Sequence, residues 1–425
     1  MSLAPMPLDD WLARLETCSP TEIDLGLERV ELLLERLALR LPDTVFHVGG
    51  TNGKGSSVAM LESLLATTGA SIGSYTSPHV HRYNERIRID ATEVSDADIV
   101  RAFEKIEAVR GDVPLTYFEF GTLAALVAFA DAGTDIAILE VGMGGRLDAV
   151  NAVDPAASLI TNISLDHCEW LGDDVETIGV EKAGIMRPGK PVIFAARQRP
   201  ASIDTQAGKL GARLIAAGRD YDWSANDGGW SWSGVEHRLT ELARPSLYGD
   251  IQVENAAAVL ALLEAAGFAE LLRTDIVNRA LTGLSLPGRM QAVDCDGNFL
   301  LDVAHNPAAA AVLARSLSSA PVSGKTIAII GMLNDKDTEG VIAALGDLAD
   351  RWIATTADSP RAIPAAELGR RIANATQTGC LVAESIDEAL QLARELTASE
   401  DRILVTGSFF LVGPVLSALD IYSPR

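Results

Sequence analysis

Residues 47–57, HVGGTNGKGSS, set Gly49, Gly50, Gly53 and Gly55 around Lys54 at the end of an apolar run. A glycine-rich turn between a strand and a helix presents backbone N–H groups to phosphate oxygens, and the helix N-terminus adds partial positive charge. A lysine in such a turn reaches the outer phosphates of a nucleotide, and a hydroxyl at the helix start can ligate magnesium. Gly53 and Lys54 match the heart of that pattern. Gly55 stands where Ser or Thr should follow the lysine, Ser56 and Ser57 come next, and Val48 occupies the first glycine position. A tight turn with no ligand is the competing reading. The place between strand and helix favours a nucleotide.

A nucleotide triphosphate brings magnesium, which needs hard oxygen ligands at the ends of neighbouring strands. Three stretches supply candidates. SYTSPHV (74–80) offers Ser77 ahead of a proline, and ILEVGMGGRLDAVN (138–151) places Glu140 at a strand end before a glycine turn. TNISLDHCEW (161–170) ends a strand on Asp166 and His167. A carboxylate at Glu140 is costly without a cation partner. Singly, these are a capping serine, a turn glutamate and a hydrogen-bonded histidine. Together they fall at the carboxyl ends of successive strands.

The elements that must hold them follow an α/β rhythm. TVFHVGG (44–50) reads as a strand and 56–68 as a helix, while TDIAILEVG (134–142) and AASLITNIS (156–164) read as buried parallel strands. Segments 95–109 and 118–131 are predicted helices. YDWSANDGGWSWSG (221–234) reads as a hairpin through its Asn-Asp-Gly-Gly turn, its tryptophans either a stacking platform for a flat ligand or, the favoured reading, packed over a sheet edge. Pro287-Gly288 punctuates the chain. FLLDVAH, KTIAIIGM, RWIATT, CLVAES and DRILVTGS then follow as strands, with helical segments between them. The predicted fold class is therefore α/β. A phosphate-loop-type parallel-sheet ATPase domain spans 1–287, and a smaller Rossmann-like α/β domain spans 288–425.

Composition agrees with two domains, because 425 residues exceed what one core usually serves. Hydrophobic residues at 48% and charged residues at 22% describe a globular chain. No apolar run reaches the ~18–20 residues needed to span a bilayer. MSLAPMPLDDWLARLE lacks a basic segment followed by an apolar core, and Cys18, Cys168, Cys295 and Cys380 form no CxxC pair. Both features point to the cytoplasm and away from membranes. A net charge of −23 argues against a nucleic-acid surface. Small anions remain open where the site is locally positive. HVHRYNERIR (79–88), with Arg82, Arg86, Arg88 and two histidines, is such a stretch, although alone it reads as a solvated strand.

GGTNGKGSS, TSPHVHRYNERIRI, YFEFGTLAAL, EVGMGGRLDAVN, SLDH, EKAGI, LPGRM, DVAHNP and TGSFFLV occur in this order. In that order they resemble the folylpolyglutamate synthases and bifunctional dihydrofolate synthases of the Mur ligase superfamily. TSPH…RYNERIR and EVGMGGRLDA are far more specific than a phosphate loop. Gly49 in place of a frequent alanine and Val80 in place of a common leucine are small departures.

The resemblance implies ATP-dependent amide formation through an acyl phosphate, with L-glutamate added to dihydropteroate or to a reduced folate; the oligomeric state stays open, with a monomer expected. It assigns ATP to Thr51, Asn52, Gly53, Lys54, Gly55 and Ser56, with Asn255 and Arg289, and with Asp302 and His305 from the second domain. Lys54, Lys182 and His305 are the expected catalytic residues. The pterin end falls at Ile23-Asp24, Tyr117-Phe118-Glu119 and Leu147-Asp148-Ala149, and Ser408 near the incoming glutamate. Ser56, Ser77, Glu140, His167 and Lys182 are the expected metal residues, for one or two magnesium ions that manganese can replace. VEKAGIMRPGK reads as an amphipathic helix whose lysine would be exposed. The resemblance instead puts Lys182 beside the metal, where an ammonium has no lone pair to offer. Carbamylation, which makes the lysine an anionic oxygen ligand, is how the family resolves this.

Three rivals stay in view: a single-activity folylpolyglutamate synthase, another Mur-type amino-acid ligase, and a nucleotide-switch protein without ligase activity. FEFGT and RYNERIR disfavour the second. Stoichiometric ADP formation that requires glutamate and a pteroate would exclude the third.

Overall fold

The structure is a computed structural model that describes residues 6–18, 24–226, 228–295, 297–376 and 379–421. The first sheet contains β1 (Thr44–Gly49), β2 (Ile72–Tyr75), β3 (Ile87–Ile89), β4 (Thr92–Glu93), β5 (Ile136–Glu140), β6 (Ala157–Ile160), β7 (Pro191–Phe194) and β8 (Arg213–Ala216). Their order is β4-β3-β2-β5-β1-β6-β7-β8, parallel except at the β3 and β4 edge. Strand alternation separates two apolar layers. Ala137 and Leu139 of β5 pack into the layer holding helix Tyr117–Ala132, while Ile136 and Ile138 join Phe46 and Val48 beneath helices Lys54–Leu65 and Ile251–Ala266.

Helix Tyr117–Ala132 is apolar on all sides and therefore buried. Its start is set by a capping box. Thr116 Oγ1 accepts from the Glu119 N–H (3.2 Å), and the Glu119 carboxylate accepts from the Thr116 N–H (2.7 Å). Helix Lys54–Leu65 begins at Lys54 rather than at residue 56, because Gly53, at φ 87°, caps it in the left-handed region.

β9 (Asp222–Asn226) and β10 (Gly229–Ser233) form the expected hairpin, and β11 (Arg238–Leu242), which the pattern did not announce, completes a three-stranded sheet. Trp232 is buried, and its Nε1 donates to the Ala257 carbonyl at 3.0 Å. The hairpin thus packs on helix Ile251–Ala266 instead of over a sheet edge. The basic stretch 79–88 is not a solvated strand either. The Glu85 carboxylate accepts from the N–H groups of Val80, His81 and Arg82 at 2.7–2.8 Å and curls the chain into a turn, leaving Ile87–Ile89 as strand.

The second sheet contains β12 (Gln291–Asp294), β13 (Asn298–Leu301), β14 (Thr326–Ile330), β15 (Arg351–Ala354), β16 (Cys380–Val382) and β17 (Arg402–Thr406). Its order is β12-β13-β17-β14-β15-β16, parallel apart from β12. β12 is an additional edge strand, unforeseen because its alternation is short and polar. Among the described residues, no helix is long and apolar enough to cross a membrane.

The two sheets meet through specific contacts. Asn52 and Asn306 exchange amide hydrogen bonds at 3.1 and 3.2 Å. Lys336 Nζ lies 2.7 Å from Asp166 Oδ1, with both side chains under a tenth exposed. The Val80 carbonyl lies against Gly413, and Ser417 Oγ is 2.8 Å from His81 Nδ1.

Candidate active site

A cavity of about 1140 Å³ lies between the two sheets, lined from both. On its floor is the turn between β1 and helix Lys54–Leu65. Gly50 is at φ 132°, and a Cβ there would stand 1.9 Å from Thr161 Oγ1, so only glycine fits. Thr161 Oγ1 in turn donates to the Asn52 carbonyl at 2.6 Å and locks the loop to the end of β6. Gly53 is seated on Asn255, whose Oδ1 would lie 2.8 Å from an added Cβ. The first turn of the helix therefore opens its N–H groups toward the cavity.

Lys54 is not an exposed loop lysine. It is half-buried, and Nζ donates to the Gly50 and Thr51 carbonyls at 3.2 and 3.1 Å. Burial lowers its pKa, and the Glu140 charge opposes that. Glu140 Oε2 would lie 3.7 Å from a Cβ on Gly55, an ordinary contact that places the carboxylate beside the loop. Burial pushes the Glu140 carboxyl up to about 7, and no salt bridge neutralises it among the described residues.

Lys182 is buried at the end of helix Val175–Ala183, and its Nζ donates to the Gly50 carbonyl at 3.0 Å. The competing reading of an exposed lysine does not hold, because the helix turns this side chain under the phosphate loop. Burial, followed by the Lys54 charge, brings its pKa down to about 7. His167 is pushed down to about 4 by burial and by Lys336, so its ring is neutral and able to coordinate. Ser77, Glu140, His167 and Lys182 all line the cavity. Among the described residues no three His, Cys, Asp or Glu side chains converge on a metal position. The expected set contains only two such side chains and depends on Ser77 and a modified Lys182 for the rest. A buried, unneutralised Glu140 with a neutral His167 suits a divalent cation.

The other expected residues divide. Asp24, Tyr117, Phe118, Glu119, Leu147, Asp148, Ala149, Arg289, His305 and Ser408 line the cavity, as do Thr51 to Gly55. Ser56, Asn255 and Asp302 do not. Ser56 is buried in the helix, and Asn255 supports Gly53 from below. The Asp302 carboxylate is spent on the N–H groups of Met290 and Ala304, both at 2.9 Å, and so holds the start of the second domain. Ile23 lies outside the described residues.

Two acids at the pterin end are also committed. Glu119 pairs with Arg29 at 2.9 Å besides capping its helix, and Asp148 accepts from Met143 and Val150 at 2.8 and 3.1 Å. His305 Nδ1 is 2.9 Å from the Val303 carbonyl, and Nε2 is 3.6 Å from Asp166. Arg289 lies 5.4 Å over the Phe409 ring. Lys336, Asn306 and Arg29 were missed from the sequence. Lys336 had one signal, a polar turn after the apolar strand β14; Arg29 had none, since it sits on an ordinary charged helix face.

A phosphate loop facing a second α/β domain across one cleft is the architecture of an ATP-using ligase. Residues 48–263 match the Mur ligase middle domain, and residues 288–409 match the Mur ligase glutamate ligase domain. A dihydrofolate synthase/folylpolyglutamate synthase of Escherichia coli is 41% identical, covering 98% of this chain and 96% of its own. The E. coli FolC structure in complex with DHPP and ADP superposes with a TM-score of 0.92 at 40% identity, covering 99% of both chains. A Yersinia pestis bifunctional folylpolyglutamate synthase/dihydrofolate synthase complexed with AMPPNP and a Mn ion gives 0.90 at 41% identity, covering 99% of this chain and 100% of that one. The chain belongs to the Mur ligase family, among its ATP-dependent ligases named dihydrofolate synthase/folylpolyglutamate synthase.

Proposed function

We propose that this chain adds L-glutamate both to dihydropteroate and to reduced folates, in the one cleft between its domains. The observation that carries this reading is the cleft itself. Lys54 and the helix N-terminus lie at one part of its wall, and Tyr117, Phe118 and Leu147 lie at another. A flat apolar ring system and a polyphosphate can therefore enter together. The E. coli relative holds DHPP and ADP, and the Y. pestis relative AMPPNP and Mn, which supports ATP and a divalent cation here.

An oxygen of the acceptor carboxylate attacks the γ-phosphorus of ATP, giving an acyl phosphate and ADP. The α-amino nitrogen of L-glutamate then attacks the carbonyl carbon, loses a proton and expels phosphate from the tetrahedral intermediate. Lys54 leaves the Gly50 and Thr51 carbonyls to meet the outer phosphates. Ser77, Glu140, His167 and a carbamylated Lys182 would hold the cation, which would offset the charge of two approaching anions. His305 and Arg289 approach the nucleotide from the second domain, and closure of the cleft excludes water from the acyl phosphate.

The test is glutamate incorporation with dihydropteroate and, separately, with tetrahydrofolate, with ADP followed in each. Equal amounts of ADP and amide product are expected with both acceptors. Product from tetrahydrofolate alone would reduce the function to a folylpolyglutamate synthase. Repeated ADP turnover that needs no glutamate and yields no amide product would sink the ligase reading.

A further inference from the structure

Three arginines stand in the basic stretch 79–88, and two are neutralised. Arg82 pairs with Asp96 at 3.2 Å and Arg88 with Glu62 at 2.7 Å. Arg86 is only 9% exposed and has no carboxylate partner among the described residues. The acid beside it in the chain, Glu85, is consumed by three backbone N–H groups. Burying a guanidinium without a counter-charge is costly unless something compensates. Part of the compensation is visible. Its carbon lies 5.3 Å from the ring centroids of both Tyr83 and Tyr117, and Nε donates to His79 Nδ1 at 2.9 Å.

Those contacts use the ring faces and one nitrogen and leave the fork of two terminal NH2 groups unspent. Arg86, Tyr83, Tyr117 and His79 all line the interdomain cavity. A rigid fork held against two aromatic rings that stand nearly perpendicular to each other is suited to a planar anion with two oxygens. The phosphate oxygens already have the glycine turn and Lys54. Arg86 instead touches Tyr117, at the part of the cleft where the acceptor's ring system would lie, and its charge is felt at Glu140. A carboxylate on the acceptor, between its ring system and the phosphates, is the anion that fits both neighbours.

We propose that Arg86 binds a carboxylate of the pteroate or folate acceptor through its terminal NH2 groups, with Tyr83, Tyr117 and His79 fixing the plane of the fork. The inference rests on the acceptor reading given above. Two carboxylates share this chemistry: the benzoate carboxylate of dihydropteroate, and the glutamyl-tail carboxylates of a reduced folate.

The experiment compares Arg86→Gln and Arg86→Lys with wild type, using full-length protein. Steady-state KM is measured for dihydropteroate, tetrahydrofolate, ATP and glutamate. Equilibrium binding is measured for dihydropteroate and for its analogue with hydrogen in place of the carboxyl group. A charge-assisted pair is worth at least about ten-fold in affinity. Arg86→Gln should therefore raise the acceptor KM by about that factor or more and leave the KM for ATP within about two-fold. Binding of the carboxyl-free analogue should not change. A defect with dihydropteroate alone assigns the benzoate carboxylate, which is an amide in tetrahydrofolate; a defect with tetrahydrofolate alone assigns the tail, and a defect with both assigns a fork that takes either carboxylate. Unchanged KM for both acceptors overturns the proposal. So does an equal loss of affinity for the acid and its carboxyl-free analogue, which marks a packing role. If Arg86→Gln fails to fold, Arg86→Lys, which keeps the charge but not the fork, carries the same comparison. Wild type that binds neither acceptor would refute the acceptor reading itself, a result distinct from a silent variant.

Discussion

Lys54 and Lys182 donate to the same acceptor, the carbonyl oxygen of Gly50, at 3.2 and 3.0 Å. Two ammonium groups on one carbonyl repel each other, and burial penalises both charges. Burial, followed by the Lys54 charge, brings Lys182 down to about 7, so part of it is a neutral amine near pH 7. A neutral amine is the form that takes up carbon dioxide.

The first prediction is a carbamate on Lys182. With 13C-labelled bicarbonate, wild-type protein should show a carbamate carbon resonance that Lys182→Ala lacks. Lys182→Ala should be nearly inactive, and short carboxylic acids should partly restore it by filling the vacated space. The folded pKa lies below the ordinary lysine value of 10.5, so the folded chain releases this proton first. Stability of the unmodified protein should then rise as pH increases from about 7 to about 10.5, while carbamate occupancy and activity fall below about pH 7. Full activity in carbon-dioxide-free buffer, with no labelled resonance, would refute the modification.

Lys54→Met should lower kcat by about 10²–10³ or more, the scale of losing one preorganised positive donor at a phosphoryl transfer. Burial already disfavours the Lys54 charge, so thermal unfolding should not move to lower temperature. Near wild-type turnover at saturating ATP would show that the loop does not hold the nucleotide.

Arg29 ties Asp24 (2.8 Å) to Glu119 (2.9 Å), so it fixes one wall of the acceptor end without facing the reacting groups. Arg29→Ala should raise the KM for dihydropteroate about five-fold or more, in line with roughly 1 kcal/mol of lost positioning. The KM for ATP is the control and should stay where it is. An equal rise in both would mean a general loss of structure.

Gly413→Ala opposes a local gain to a long-range clash. Alanine in a helix is favoured over glycine by about 1 kcal/mol. Here the new Cβ would stand 1.9 Å from the Val80 carbonyl oxygen, a backbone atom that cannot step aside alone. Overpacking of this kind costs about 1–3 kcal/mol, so the variant should unfold at lower temperature and ligate poorly. A melting temperature at or above wild type would show that the domains do not bear on each other there. By the same logic, separately expressed 1–287 and 288–425 should each fail to catalyse.

Local pattern carried much of this protein into view before any fold was known. HVGGTNGKGSS announces its turn because glycine and lysine act within one loop, and β1, β5 and β6 announce themselves because buried parallel strands are near-continuously apolar. Glu140 was legible as a costly acid at a strand end. Partner choice was not legible, because it depends on which distant groups packing brings together. Lys182 reaches Gly50 across 132 residues, a contact that the helical pattern of its own segment could not show. The resemblance assigned Asp302 to the nucleotide and Glu119 to the pterin end, but it could not show that Asp302 accepts from two backbone N–H groups or that Glu119 pairs with Arg29. Arg86 resembled its neighbours in sequence; only the folded chain gave Arg82 and Arg88 their acids and left Arg86 buried without one. The chain's local chemistry is written residue by residue, but charge is neutralised or left open by contacts between segments far apart, and those exist only once the domains have packed.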